Sequence, residues 1–205
     1  KFILVLQKKR VIKEWFGNHL DFTFKKEESS IKYIGTKGNN DICKYLIKDI
    51  NTTYLSNITS VKFESDYWTI TLNKGKKVFF KNLILTCPFP QLKKLCSKYL
   101  NKKILDINFQ MVPNITVISA YKNSKHVPIS TIRFNDPVIA WASQENTKNR
   151  FKSNQILWTI QCTEAFSKKI INLFKKNKNK YESIILKKFD DLLGYKTKNV
   201  VFKNI

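Results

Sequence analysis

Between Tyr33 and Gln91 the apolar residues change their spacing in a fixed order, and that order constrains the fold more than any other feature of the chain. Gly38, Asn39 and Asn40 predict the start of a helix, because Asn can cap free backbone N–H groups. Ile42, Leu46 and Ile50 then recur every four residues on one face. Short β-rich runs follow at 53–55, 58–63 and 68–72, then a turn at Asn73-Lys74-Gly75, a run at 77–80, and the apolar Leu83-Ile84-Leu85. Pro88 and Pro90 close that last run and open a second helix through Leu92, Leu95 and Cys96. The predicted order is helix, strand, β-meander, buried strand, helix.

Downstream, residues 112–121, 130–135, 138–142 and 156–162 are β-like, with turns at 123–125, 135–137 and 144–154. Four consecutive runs of this kind predict one mostly antiparallel sheet. Helices are expected at 163–174, capped by Thr163, and at 180–193, stopped by Gly194. Ile184, Ile185, Phe189, Leu192 and Leu193 form the expected buried stripe of the second. The fold class is α+β.

This order, and the residues that fill it, resemble the renalase-like branch of the FAD-dependent amine oxidases, an NAD(P)-FAD-dependent oxidoreductase family. The phrase Tyr33-Ile34-Gly35 with Gly38 and Ile42 is similar to the family's "YVG-x-x-G-M", and Leu55, Ile58 and Val61 follow its "L-x-T-x-V" strand. The run Thr86-Cys87-Pro88-Phe89-Pro90-Gln91 resembles "AVPAPQ". Residues 1–15 resemble a family helix ending in a Trp phrase, residues 136–149 resemble "S-P-L-x-W-I-A-x-x-S-S-K-P", and residues 157–167 resemble "W-V-L-H-A-S-x-x-W-S". Phe189 to Gly194 is similar to a helix that ends in "L-L-G". The collinear order of these short phrases covers nearly the whole chain.

The resemblance implies a partial FAD/NAD(P)-binding domain of Rossmann type at 31–92, and a substrate domain formed by 1–30 and 93–205, a mostly antiparallel sheet with helices. It implies FAD as cofactor and hydride transfer to flavin from an amine or a reduced nicotinamide-type small molecule. In such chemistry the flavin accepts the hydride, so the polypeptide binds, aims and excludes water, and no acid–base pair is required. Cofactor contacts are expected at the main chain of Ile58 and at the turn containing Thr86 and Pro88. Substrate contacts are expected at Trp141, Gln161 and Asn135, where Gln161 stands at the position of the family's His and cannot titrate. Dinucleotide folds normally open on Gly-x-Gly-x-x-Gly, which lets the backbone approach the pyrophosphate. The five glycines, Gly17, Gly35, Gly38, Gly75 and Gly194, include no such spacing. The chain is accordingly expected to be an internal fragment of a longer enzyme, inactive and without a tight grip on FAD in this form.

Composition sets the alternatives. With 42% hydrophobic and 13% aromatic residues in 205, a sizeable core is available, and no apolar run is long enough to cross a bilayer. Cys43, Cys87, Cys96 and Cys162 form no C-x-x-C pair and lie apart from His19 and His126, so no metal-ligand spacing is present. Buried or half-buried thiols in a reducing, cytoplasmic setting are expected. A formal charge of +23 opens a second reading, a basic nucleic-acid-binding module, since cationic surfaces attract phosphate backbones. However, the excess is carried almost wholly by Lys, grouped in turns and on polar faces, so charge alone predicts no specific nucleic-acid partner. A third reading is an interaction domain that kept the fold without catalysis.

Overall fold

A computed structural model describes residues 1–27, 31–122, 128–174, 176–196 and 200–204. The chain divides into two compact units, Lys1–Lys48 with Val112–Ile205, and Asp49–Met111. The expected limits at residues 31 and 92 therefore fall inside compact units. Residues 31–48 group with the first unit and 93–111 with the second.

The elements of the first unit before the break are α1 (Phe2–Lys8), β1 (Ile12–Glu14), β2 (His19–Leu20), β3 (Tyr33–Gly35) and α2 (Asp41–Leu46). The second unit holds β4 (Ile58–Glu64), β5 (Tyr67–Leu72), β6 (Lys77–Phe80), α3 (Phe89–Cys96) and α4 (Lys102–Leu105). The first unit resumes with β7 (Thr116–Tyr121), β8 (Thr131–Arg133), β9 (Ile139–Gln144), β10 (Ile156–Cys162), α5 (Glu164–Phe174), α6 (Lys178–Leu193) and β11 (Val200–Asn204). The architecture is mixed helix and sheet, and its strand pairs are antiparallel except for β2 with β8 among the described residues.

In the first unit six strands pair in the order β11-β7-β10-β9-β8-β2. The alternation in β10 gives the sheet two unlike faces: every second residue, from Ile156 and Trp158 to Ile160 and Cys162, is buried, while those between are half-buried. Strand register aligns the inner residues Val117, Ile160, Ala142 and Ile132 in one fully buried row. Ile170 of α5 and Ile185, Leu186 and Phe189 of α6 complete this core. Ile184, expected in the stripe, is exposed, and Leu186 fills the core beside Ile185 instead. Thr163 caps α5 through a hydrogen bond from the Phe166 amide (3.2 Å), and Gly194 ends α6 at φ 70°, a left-handed turn that glycine adopts without strain. The turn expected at 123–125 lies outside the described residues.

Helix α2 is shorter than its period predicts. Leu46 and Ile50 are exposed, so the apolar stripe meets no core, and the helix stops after six residues. Its start is held by Asp41 rather than by Asn40: the carboxylate accepts from the Lys37 amide (2.5 Å) and the Gly38 amide (2.9 Å). That turn is tight, since a Cβ on Gly35 would meet the Gly38 carbonyl oxygen at 1.9 Å.

The second unit is a three-stranded meander, β4-β5-β6, with α3 against β4. Two expectations are corrected here. The run 53–55 forms no strand, and Leu55 is fully exposed at φ 55°. The run 83–85 forms no strand, and Ile84 is 87% exposed rather than buried. An apolar run of this kind is buried only where strands flank it, and no strand pairs with it in this unit. Cys43 is exposed, not buried as expected; Cys87 is half-buried, and Cys96 and Cys162 are buried.

Candidate functional site

The second unit contains a cleft of about 690 Å³, built by three segments. The first is the start of β4, where Ile58 pairs with Leu72 and a bulge at Thr59 turns the strand before Ser60 meets Thr71. The second is the irregular segment before α3, which contributes Ile84, Leu85, Thr86 and Cys87. The third is α3, through Gln91, Lys94 and Leu95.

Pro88 links the last two. Its φ of −56° suits a helix start, and its carbonyl accepts from the amides of Gln91 and Leu92, both at 3.0 Å. Of the expected cofactor residues, Ile58 and Thr86 share this cleft. Pro88 sits behind it as the N-terminal boundary of α3.

The wall is apolar at Ile58, Ile84, Leu85 and Leu95 and polar at Asn57, Thr86, Gln91 and Lys94. The latter four side chains make no hydrogen bond to another described residue. One edge of β4 is also unpaired, because the sheet order places it at the margin. The cleft thus offers an apolar slot, free donors and acceptors, and exposed strand backbone, within the ~300–1,000 Å³ typical of small-molecule sites.

The first unit presents a different surface. On the outer face of its sheet, register aligns Thr116 on β7, Gln161 on β10, Trp141 on β9 and Arg133 on β8 in one row. The structure therefore brings Trp141 and Gln161 together as direct cross-strand partners. Asn135 is not with them: it is exposed in the turn between β8 and β9, where Asp136 accepts from the amides of Val138 and Ile139. Arg133 has no counterpart in the sequence reading. It donates from Nε to Glu27 Oε1 at 3.0 Å, and Glu27 also pairs with Lys32. The hydrogen bond from Lys32 outweighs the upward push of burial and, with that from Arg133, holds the Glu27 carboxyl below its ordinary value.

The next row along the same face is His19, Thr131, Ser143, Thr159 and Ile118. Here a 3₁₀ turn, Glu145–Lys148, folds over the sheet. Glu145 Oε1 accepts from Ser143 Oγ (2.7 Å), Thr159 Oγ1 (3.0 Å) and Lys148 Nζ (2.6 Å). The Lys148 ammonium lies 5.0 Å from the centre of the Trp15 ring, a cation–π contact, and Trp15 donates to Thr147 Oγ1 at 3.1 Å. Burial pushes the Glu145 carboxyl up, but the hydrogen bonds and charge supplied by Lys148 and Ser143 outweigh it and keep the group below its ordinary value.

His19 meets the Trp15 carbonyl through Nε2 (3.1 Å) and Thr131 Oγ1 through Nδ1 (2.8 Å). A carbonyl can only accept, so Nε2 carries the proton and Nδ1 accepts from the Thr131 hydroxyl. Burial depresses the imidazole's pKa, in keeping with that neutral form. Sequence reasoning took 144–154 for a turn and missed this network. An acid and a Lys three residues apart is the ordinary signature of an exposed pair, and nothing local marks it as buried.

No protein-family model matches the chain, and no curated protein matches it. Its fold is similar to that of solved oxidases. One is a protein assigned as a protoporphyrinogen oxidase from Exiguobacterium sp. 255-15, with a TM-score of 0.62 at 12% identity over 84% of this chain and 39% of that one. Another is a double mutant of putrescine oxidase redesigned in its cofactor binding, with a TM-score of 0.58 at 15% identity over 81% of this chain and 36% of that one. The chain spans less than two fifths of the length of either. At these identities the likeness is one of fold.

Proposed function

We propose that this chain is part of an FAD-dependent oxidoreductase of the amine-oxidase type, renalase-like in its motifs, with the cleft of the second unit taking the adenosine half of the cofactor. The observation that carries the reading is the meeting of Ile58 and Thr86 in one cleft. Those two residues lie 28 positions apart in the chain, and the motif resemblance had paired them on independent grounds. Likeness of fold to two oxidases supports the same reading.

The residues present fit an adenosine. Ile58, Ile84, Leu85 and Leu95 supply apolar walls for a planar base, while Asn57, Thr86 and Gln91 have unused polar groups for its nitrogens and the ribose hydroxyls. Lys94 supplies a cation on the same wall. A bound flavin would supply the hydride acceptor, and the chain's own work is to hold and orient. On the substrate side, Trp141 provides an aromatic wall and Gln161 a hydrogen-bonding amide that cannot titrate, with Asn135 more remote in its turn. The substrate class of this reading is an amine or a reduced nicotinamide-type compound.

A direct test is a titration of FAD into the chain, followed by flavin emission anisotropy, for the wild type and for Thr86→Trp, which fills the cleft. Saturable binding weakened at least about ten-fold in the variant supports the assignment, since a displaced base loses its stacking and hydrogen bonds, together worth more than ~1.4 kcal/mol. Equal affinity of both proteins places the nucleotide elsewhere and contradicts it.

A further inference from the structure

We infer that Arg133 makes the outer sheet face of the first unit selective for a planar substrate bearing an anionic group, and that a cationic amine is the disfavoured class. The inference rests on the oxidoreductase reading above and decides between its two substrate classes.

Arg133 is the direct cross-strand partner of Trp141, and Trp141 of Gln161, so guanidinium, indole and amide project from one face of three adjacent strands. Side chains opposite each other in such a ladder have Cβ atoms roughly 4.5–5.5 Å apart, within reach of one small ligand. A ring resting on Trp141 is therefore flanked by Arg133 on one side and Gln161 on the other.

Charge comes next. Glu27 is the carboxylate paired with Arg133, and it is shared with Lys32. Among these three described residues, one negative charge between two positive ones leaves an excess of one positive charge. Arg133 uses Nε for Glu27, and among the described residues neither of its Nη groups donates to a protein acceptor. Its side chain is 64% exposed. A guanidinium held by one nitrogen, with its terminal fork free, is shaped for a carboxylate or phosphate. The rest of the chain reinforces this sign, since a formal charge of +23 draws anions toward the surface and repels ammonium groups. Glu145, a further described carboxylate on this side of the sheet, is neutralised by Lys148 within its own network, so it offers an amine no free counter-charge.

Arg133 holds Oε1 of Glu27 and Lys32 holds Oε2, so each oxygen of that carboxylate already has a cation and offers an incoming amine no free counter-charge.

The experiment uses three ligands with one ring and three charges: 2-naphthoate, 2-naphthamide and 2-naphthylmethylammonium. Binding is followed by the indole N–H resonance of Trp141 in the nitrogen-labelled chain, identified by its loss in Trp141→Phe. The expected order is anion, then amide, then cation, with the anion favoured over the amide about five-fold, as suits a partly exposed charge pair. In Arg133→Gln the anion should fall to the affinity of the amide, while the amide itself is unchanged. Equal affinity of all three ligands, tighter binding of the cation, or an anion preference that survives in Arg133→Gln overturns the inference. If none of the ligands moves the Trp141 resonance, this face is not a ligand surface and the inference fails as well. FAD binding to the second unit, measured separately, is independent of each outcome and isolates a failure here from a failure of the oxidoreductase reading.

Discussion

The two compact units differ most in what they bury. In the first, Tyr121, Trp158 and Phe189 are fully buried, with ring centres of Trp158 and Phe189 5.3 Å apart, and Tyr121 donates to Asp190 at 2.7 Å beneath the stacked ring of Tyr195. In the second, Val61, Ile70 and Cys96 are the buried hydrophobic residues, while Phe79, Phe80 and Tyr54 remain exposed. A six-stranded sheet backed by two helices can shut out water on one whole face. A three-stranded meander with one short helix cannot, and small units bury too little to be strongly stable. The proposed reading puts the cofactor in the weakly buried unit and the substrate on the charged face of the strongly buried one. Rigid presentation of side chains suits the second role, and accessible backbone suits the first.

That contrast can be broken most sharply at Phe189. Phe189→Ala removes the ring around which Tyr121, Phe134, Trp158 and Tyr195 are grouped, and should cost about 4 kcal/mol. Urea denaturation followed by Trp fluorescence checks it, and a loss under 1 kcal/mol would mean the cluster is loosely packed.

The next effect lies at Glu145. Glu145→Gln leaves Lys148 buried against Trp15 without its carboxylate, a change worth roughly 3 kcal/mol by analogy with broken buried pairs. Its pH dependence is signed. The folded-state carboxyl is depressed below its ordinary 4.5, so its stabilisation is complete above that value and is lost as pH falls through the lower folded one. The wild-type midpoint should drop over that acid window, and the Gln variant should lose this component of the slope.

A smaller loss, about 2 kcal/mol at the low end for such truncations, is expected for Ile70→Ala. Hydrogen exchange should show faster amides in β4–β6 while β10 is unchanged, because the units are separately compact. Acceleration in both would show that they unfold as one. Smallest is Thr163→Ala, about 1 kcal/mol from the lost cap of α5, read from the thermal midpoint.

The parts of the fold that could be read in advance are those whose signal is local. Strand β10 was predicted at its observed limits because a β-like run at 156–162 follows a turn-rich stretch, and β6 and the stop at Gly194 were equally explicit. Strand β2 was not legible: two residues, His19 and Leu20, join the sheet by pairing with Thr131 and Ile132, more than 110 positions away. The run 83–85 misled in the opposite sense, since apolar composition was taken for burial where, among the described residues, no strand pairs with it. At the sites, Trp141 and Gln161 were named through the motif resemblance, and register then made them neighbours. Arg133 and Glu145 escaped notice because a charged residue beside a strand looks like a solvated one until the partner strands are in place.

The central claim is that a nucleotide occupies the cleft walled by Ile58 and Thr86, and Cys87 on that wall reports on it directly. Exposed Cys43 serves as an internal reference, and burial pushes the Cys162 thiol up to about 12 and raises that of Cys96, so neither competes for the reagent. Alkylation rates measured by mass spectrometry, with and without saturating FAD, should fall several-fold at Cys87 and stay constant at Cys43. Undiminished labelling of Cys87 with FAD bound would contradict the account.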